Sequence, residues 1–220
     1  MIEIIFKNDD FVVFNKPNGV LTHPVNSNSE ISVRDKLLEI EPSIAEWGIE
    51  KREGIVHRLD KVTSGLIVGA LNNETFTNLQ SLFKKREVYK EYSCLVEGHL
   101  KTQSGVIELP LSKSKQNRTK RSVSSGGKIS TSQFEVIHEY ETCTKLKIEL
   151  ITGRNHQIRS QMEYLGNPII NDVLYSAKKV ESLNKNQICL VSKKLKFNHK
   201  NKNYEFEVSE PDFFNAVINV

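Results

Sequence analysis

The sequence predicts an α+β fold on a mixed, largely antiparallel sheet. Three observations lead there: strand-like runs outnumber helical ones, helices intervene irregularly, and the strict strand–helix alternation of a parallel sheet is absent. The 220 residues are 38% hydrophobic and 26% charged, the composition of a globular chain able to bury one large core or two small ones. No apolar run approaches the roughly 18 residues of a membrane span. The first residues, Met1-Ile2-Glu3-Ile4-Ile5-Phe6, read as a strand and not as a secretory signal. A cytoplasmic protein is expected.

Taken in order, apolar runs at Ile2–Phe6 and Phe11–Phe14 predict two strands joined by the polar turn Asn8-Asp9-Asp10. Pro17, Gly19 and Pro24 then mark an irregular loop. Ser32 begins a helix with Val33, Leu37 and Leu38 on its apolar side, ending before Pro42. Gly65–Leu71 reads as a buried strand. Asn72 or Asn73 caps the next helix, where Phe76, Leu79, Leu82 and Phe83 recur at helical spacing. Further strands are predicted over Val88–Val96, Gly105–Leu109, Ile129–Glu139, Lys145–Ile151, Gln187–Phe197 and Tyr204–Val208. A helix follows Gly153, from His156 to about Leu165, and stops at Gly166. With no linker and no repeat, residues 1–220 read as a single domain.

The three cysteines, Cys94, Cys143 and Cys189, are odd in number and sit in apolar contexts. They read as reduced, buried thiols and not as a disulfide framework or a zinc site. No metal-ligand spacing links the six histidines. The net charge is only +4, but it is unevenly spread: residues 1–60 carry 7 Lys+Arg against 11 Asp+Glu. Lys113, Lys115, Arg118, Lys120, Arg121 and Lys128 form a stretch without an acid among them, and Lys193, Lys194, Lys196, Lys200 and Lys202 form another. Such surfaces suit a polyanion such as nucleic acid; a solvated lysine-rich face is the other reading.

The most informative segment is Gly54 to Val68, GIVHRLDKVTSGLIV. It puts His57, Arg58 and Asp60 in a short polar stretch at the mouth of a core strand. A carboxylate beside two potential cations there is either an active-site group or a structural ion pair.

The segment resembles the HRLDxxTSG motif of RluA-type RNA pseudouridine synthases at every specified position. Two more stretches resemble that family in the same order. Phe83, Arg86, Val88, Lys90 and Tyr92 follow its FxxRxVxKxY pattern, and Thr152-Gly153-Arg154-Asn155-His156-Gln157-Ile158-Arg159 its TGRxHQIR motif. Near the N-terminus, Asn8-Asp9-Asp10 and Phe14-Asn15-Lys16-Pro17-Asn18-Gly19 look like its first motif, with His23-Pro24 after it. The resemblance implies the pseudouridine synthase fold, a bent mixed sheet with flanking helices and a central cleft that carries Asp60, and isomerisation of uridine in structured rRNA or tRNA without any cofactor.

The implied roles follow residue by residue. Asp60 matches the catalytic aspartate, Tyr92 the active-site tyrosine and Arg159 the basic partner of the aspartate. A nearby guanidinium favours the ionised carboxylate that a nucleophile needs. Arg58 matches a residue that helps displace the target uridine from its stack, which costs a few kcal/mol. His57 is placed with the substrate-binding residues, orienting the loop and not acting as a general base. Lys90, Arg154, Arg118, Lys120 and Arg121 are expected to contact RNA, and His156 to be structural.

Departures from the family pattern bear on substrate choice. Ser160-Gln161 stand where Val-His usually follows HQIR. A later GDxxYG element is here Asn171-Asp172-Val173-Leu174-Tyr175-Ser176, and the common Leu-His-Ala is Cys189-Leu190-Val191. The first motif begins within ten residues of Met1, so no accessory RNA-binding domain is expected ahead of it. RNA recognition then falls to the core, above all Lys113–Lys128 and the C-terminal lysines, and a monomer is expected. The alternatives are a catalytically silent RNA-binding or ribosome-assembly protein of the same fold, and a hydrolase that opens a glycosidic bond without rejoining the base.

Overall fold

A computed structural model describes residues 1–24, 31–47 and 53–218. In chain order the first elements are β1 (Glu3–Lys7), β2 (Phe11–Lys16), α1 (Val33–Ile40), α2 (Ile44–Trp47), β3 (Ser64–Ala70) and α3 (Asn73–Lys85). Then come β4 (Tyr89–Glu97), β5 (Ser104–Lys113), β6 (Arg121–Val123), β7 (Lys128–Glu139), β8 (Cys143–Leu150) and α4 (Gln157–Leu165). A 3-10 turn at Val173–Tyr175, β9 (Leu190–His199), β10 (Lys202–Glu207) and α5 (Phe213–Ile218) complete the chain. Two compact units result: Met1–Tyr89 with Ser192–Val208, and Lys90–Val191 with Ser209–Val220.

In the first unit the strand order is β1-β2-β3-β9, with β10 paired to β9. The β1–β2, β2–β3 and β9–β10 ladders are antiparallel. Every residue of β3 is buried, and β2 is buried except at Asn15, which explains their nearly continuous apolar composition. Ser32 caps α1 in a reciprocal capping box with Asp35. Leu37 of that helix lies over Gly69 so closely that an added Cβ would sit 2.8 Å from its Cδ2. Asn72 caps α3, whose Thr75, Phe76 and Leu79 are buried.

The second unit orders its strands β4-β8-β7-β5-β6, again with antiparallel ladders. β8 alternates buried and half-buried residues as a strand with one covered face does. The three thiols are buried and unpaired, and burial pushes the Cys94, Cys189 and Cys143 thiols up, out of the reactive range.

The expected strands and the three long helices are present. β5 runs on to Lys113 and β9 is shifted toward His199 relative to expectation. Three-residue β6, the 3-10 turn, α2 and α5 are additional; each is too short for its periodicity to stand out. No helix of the described residues is long and apolar enough to cross a membrane.

Candidate active site

In the first unit, residues 54–57 run antiparallel beside β3 and take its outward N–H groups. Ala70 N–H donates to Gly54 O at 2.8 Å, Ile55 bridges Gly69, and Val68 N–H donates to His57 Nε2 at 3.0 Å. His57 thus stands in for a strand neighbour. Its proton is left on Nδ1, and the ring lies flat on Phe83 with centroids 4.5 Å apart. A general base needs a lone pair aimed at substrate; here Nε2 spends its own on the scaffold. Gly54 has φ +71°, and a Cβ there would meet Ala70 O at 2.6 Å, so only glycine serves.

The loop beyond is laced to residues 16–22. Thr22 Oγ1 donates to Leu59 O at 2.8 Å and accepts from Leu59 N–H at 3.1 Å. Gly19 N–H donates to Lys61 O at 2.8 Å, Asn18 Nδ2 donates to Val62 O, and Thr63 N–H closes a turn on Asp60 O. Leu59 is buried, Asp60 is half-buried and Arg58 is exposed. The arginine therefore projects outward while the next residue anchors the loop. Gly65 ends the loop at φ +105°, where a Cβ would sit 2.3 Å from Ser192 O.

Lys16 lies under this loop with no exposed surface. Its Nζ donates to Val20 O at 2.9 Å, Pro17 O at 3.2 Å and Lys61 O at 3.4 Å. Three carbonyl oxygens match the three protons of an ammonium. Burial pushes the Lys16 pKa down, to about 7, and the negative charge of Asp60 works against that shift. The sequence placed Lys16 in a matched motif without a role; a lysine in an otherwise apolar strand, FVVFNK, was the available signal.

In the second unit, Tyr92 and Lys90 sit two residues apart on β4 and are both buried, with Tyr92 opposite Ile148 of β8. The turn before α4 is built on Gln157. Its Oε1 accepts from Thr152 Oγ1 at 2.7 Å and from Arg154 N–H at 3.0 Å, while its Nε2 donates to Thr131 O and Ser132 Oγ. Arg154 itself is exposed. Arg159 is buried and makes a bidentate pair with Asp172, Nε to Oδ2 at 2.7 Å and Nη2 to Oδ1 at 2.9 Å. Its guanidinium also lies 4.8 Å from the centre of the Tyr175 ring.

The hairpin cations divide. Lys113, Lys115 and Arg118 are exposed. Lys120 pairs with Glu163 at 2.7 Å and lies 4.8 Å over the Tyr175 ring, while the Arg121 backbone N–H donates to Tyr175 Oη at 2.8 Å. The structure therefore gathers Arg159, Lys120 and Arg121 around one tyrosine. Asp172 and Tyr175 were visible in the sequence only as parts of a departed element. The C-terminal lysines are largely matched by acids: Lys194 and Lys193 face Glu207, Lys196 faces Glu205, and Lys200 pairs with Asp10. Among the described residues no cluster of three or more His, Cys, Asp or Glu side chains is placed to hold a metal ion.

The sequence model of the family described as RNA pseudouridylate synthase matches residues 10–164. The ribosomal large subunit pseudouridine synthase D of Haemophilus ducreyi is 34% identical over 177 residues, covering 80% of this chain and 53% of the relative. Its counterpart from Escherichia coli (strain K12) is 33% identical with the same coverage. The chain thus spans about half the length of these curated relatives. Among solved structures, human RNA Pseudouridylate Synthase Domain Containing 4 aligns with a TM-score of 0.77 at 21% identity, covering 99% of this chain and 92% of its own. Human RNA Pseudouridylate Synthase Domain Containing 1 aligns at 0.76 and 23%, covering 96% and 84%.

Proposed function

The chain belongs to the RNA pseudouridylate synthase family, and from that premise we propose that it isomerises specific uridines in structured RNA to pseudouridine, with Asp60 as the catalytic carboxylate. The observation that carries this reading is the Asp60 loop: a half-buried carboxylate held by backbone bonds on both sides, above a lysine buried beneath it. Nucleophilic attack on the nucleotide needs a carboxylate fixed in direction, and the laced loop supplies that.

Chemistry on a paired uridine requires the nucleotide to leave its stack. Exposed Arg58 is suited to fill the vacated space, and the Tyr92 ring to stack on uracil. Arg159 is assigned to the chemistry through its match to the family motif, and the exposed cations Lys115, Arg118 and Arg154 to phosphates. The base is detached from carbon 1′ of the ribose, turned and rejoined through its carbon 5. The carbon–nitrogen bond becomes a carbon–carbon bond, the hydrogen of carbon 5 leaves as a proton, and N1 takes one up. Because nothing is oxidised and no group is lost, the reaction calls for no redox partner. The relatives named for the ribosomal large subunit favour rRNA over tRNA as substrate. The two units are taken to act as one catalytic domain, a reading supported by the near-complete coverage of the human folds.

The test is Asp60→Asn, nearly isosteric, assayed by mapping pseudouridine in RNA from a strain that lacks the gene. Product should fall by more than about a thousandfold, the order seen when a nucleophile is removed, with the circular dichroism spectrum unchanged. Turnover like wild type in the verified variant would take Asp60 out of the mechanism.

A further inference from the structure

β6 is three residues long and forms the outer edge of the second unit's sheet. Its pairing with β5 covers only Lys113–Arg121, Ser112–Ser122 and Leu111–Val123. So short an edge strand has little of its own to hold it, and the bonds that fix it come from elsewhere. Tyr175, fully buried at the end of the 3-10 turn, accepts the Arg121 N–H on Oη at 2.8 Å. Ser160 Oγ donates to Arg121 O at 3.1 Å, and Lys120 reaches Glu163 at 2.7 Å. Glu163 Oε1 also accepts from Ser176 Oγ at 2.7 Å, which closes the set on the residue after Tyr175.

The same turn grips Arg159. Asp172 pairs with the guanidinium on two nitrogens, the Tyr175 ring lies 4.8 Å from it, and His156 Nδ1 is hydrogen-bonded to Tyr175 Oη at 2.9 Å. A cation over a ring gains most where water is excluded, and the bonds of a buried polar network polarise and rigidify one another. Ser160, where the family pattern has valine, supplies a second tether between α4 and the hairpin.

We propose that Tyr175 is a positioning residue through which the seating of the basic hairpin and the orientation of Arg159 are set together, so that RNA phosphates drawn to Lys115 and Arg118 at the hairpin tip also settle the arginine. The inference rests on the reading that Arg159 serves the chemistry. Tyr175→Phe keeps the ring under both cations and removes only the hydroxyl, which bonds the Arg121 N–H and His156 Nδ1. Hydrogen exchange over residues 114–124 should speed up. The single-turnover rate constant at saturating RNA should fall roughly 10- to 100-fold, the cost of a small misplacement at a reacting centre. Ser160→Ala should act in the same direction and more weakly, and it carries the test if Tyr175→Phe does not fold. Combined with Arg159→Lys, Tyr175→Phe should slow the reaction no further than Arg159→Lys alone; a merely structural tyrosine would give additive losses. Additive losses, unchanged exchange, or faster exchange with a wild-type rate would each overturn the coupling. A wild-type rate in Arg159→Lys would instead remove the premise.

Discussion

The loop that carries Asp60 and the turn that holds Arg159 each fix one charged side chain, but they do so with different bonds. Around Asp60 the bonds run mostly to backbone: Thr22 on Leu59, Gly19 and Asn18 on residues 61 and 62, and carbonyl oxygens that take the buried Lys16 ammonium. Around Arg159 they are ionic and aromatic: Asp172, Tyr175 and, through the ring, Lys120. A scaffold of backbone bonds leaves a carboxylate half-exposed. An ionic one fixes the direction of a guanidinium and makes its surroundings intolerant of losing a partner.

The contrast sets the size of the expected effects. Asp172→Ala removes the carboxylate that bonds Arg159 on two nitrogens in a buried site, so thermal or denaturant unfolding should register a loss of about 3–5 kcal/mol. A loss under 1 kcal/mol would mean that water reaches the arginine and that the ionic description is wrong. Thr22→Val preserves shape but strands the N–H and C=O of Leu59, which should cost about 1–3 kcal/mol and slow product formation with it. Unfolding midpoints and single-turnover rates measured together check this; full activity would show that the lacing is not what holds the loop.

The most gradual effect concerns pH. Folding lowers the Lys16 pKa from 10.5 to about 7, so between those values the unfolded chain binds more protons than the folded one. Stability contributed at this site therefore rises with pH across that window, by up to about 1.4 kcal/mol per pH unit, and the penalty is fully present below it. Lys16→Met should flatten the rise. An identical slope in both proteins would mean that the three carbonyl oxygens keep the ammonium at its ordinary pKa.

What the sequence made legible follows the same division. The Asp60 loop lies within a continuous motif whose glycines and hydroxyls serve nearby backbone, so its residues could be singled out without the fold. Asp172 meets Arg159 across 13 residues and out of a departed element, and nothing local in the sequence announces that pair. Ser160 and Gln161 stood out only as departures. In the fold Ser160 ties α4 to Arg121, and Gln161 bonds Ser132 at 2.8 Å and Ser130 O at 3.0 Å. Lysine counts were the least informative signal. Lys194 and Lys196 resemble Lys115 and Arg118 in sequence, but β9–β10 register brings Glu205 and Glu207 opposite them.

The most direct measurement follows the hydrogen on carbon 5 of uracil. RNA labelled there with tritium, prepared from a strain without the gene, should release tritium to water when incubated with the wild-type chain. It should release none with Asp60→Asn, and in neither case free uracil. Release by the asparagine variant, or uracil set free by the wild type, would contradict isomerisation through Asp60.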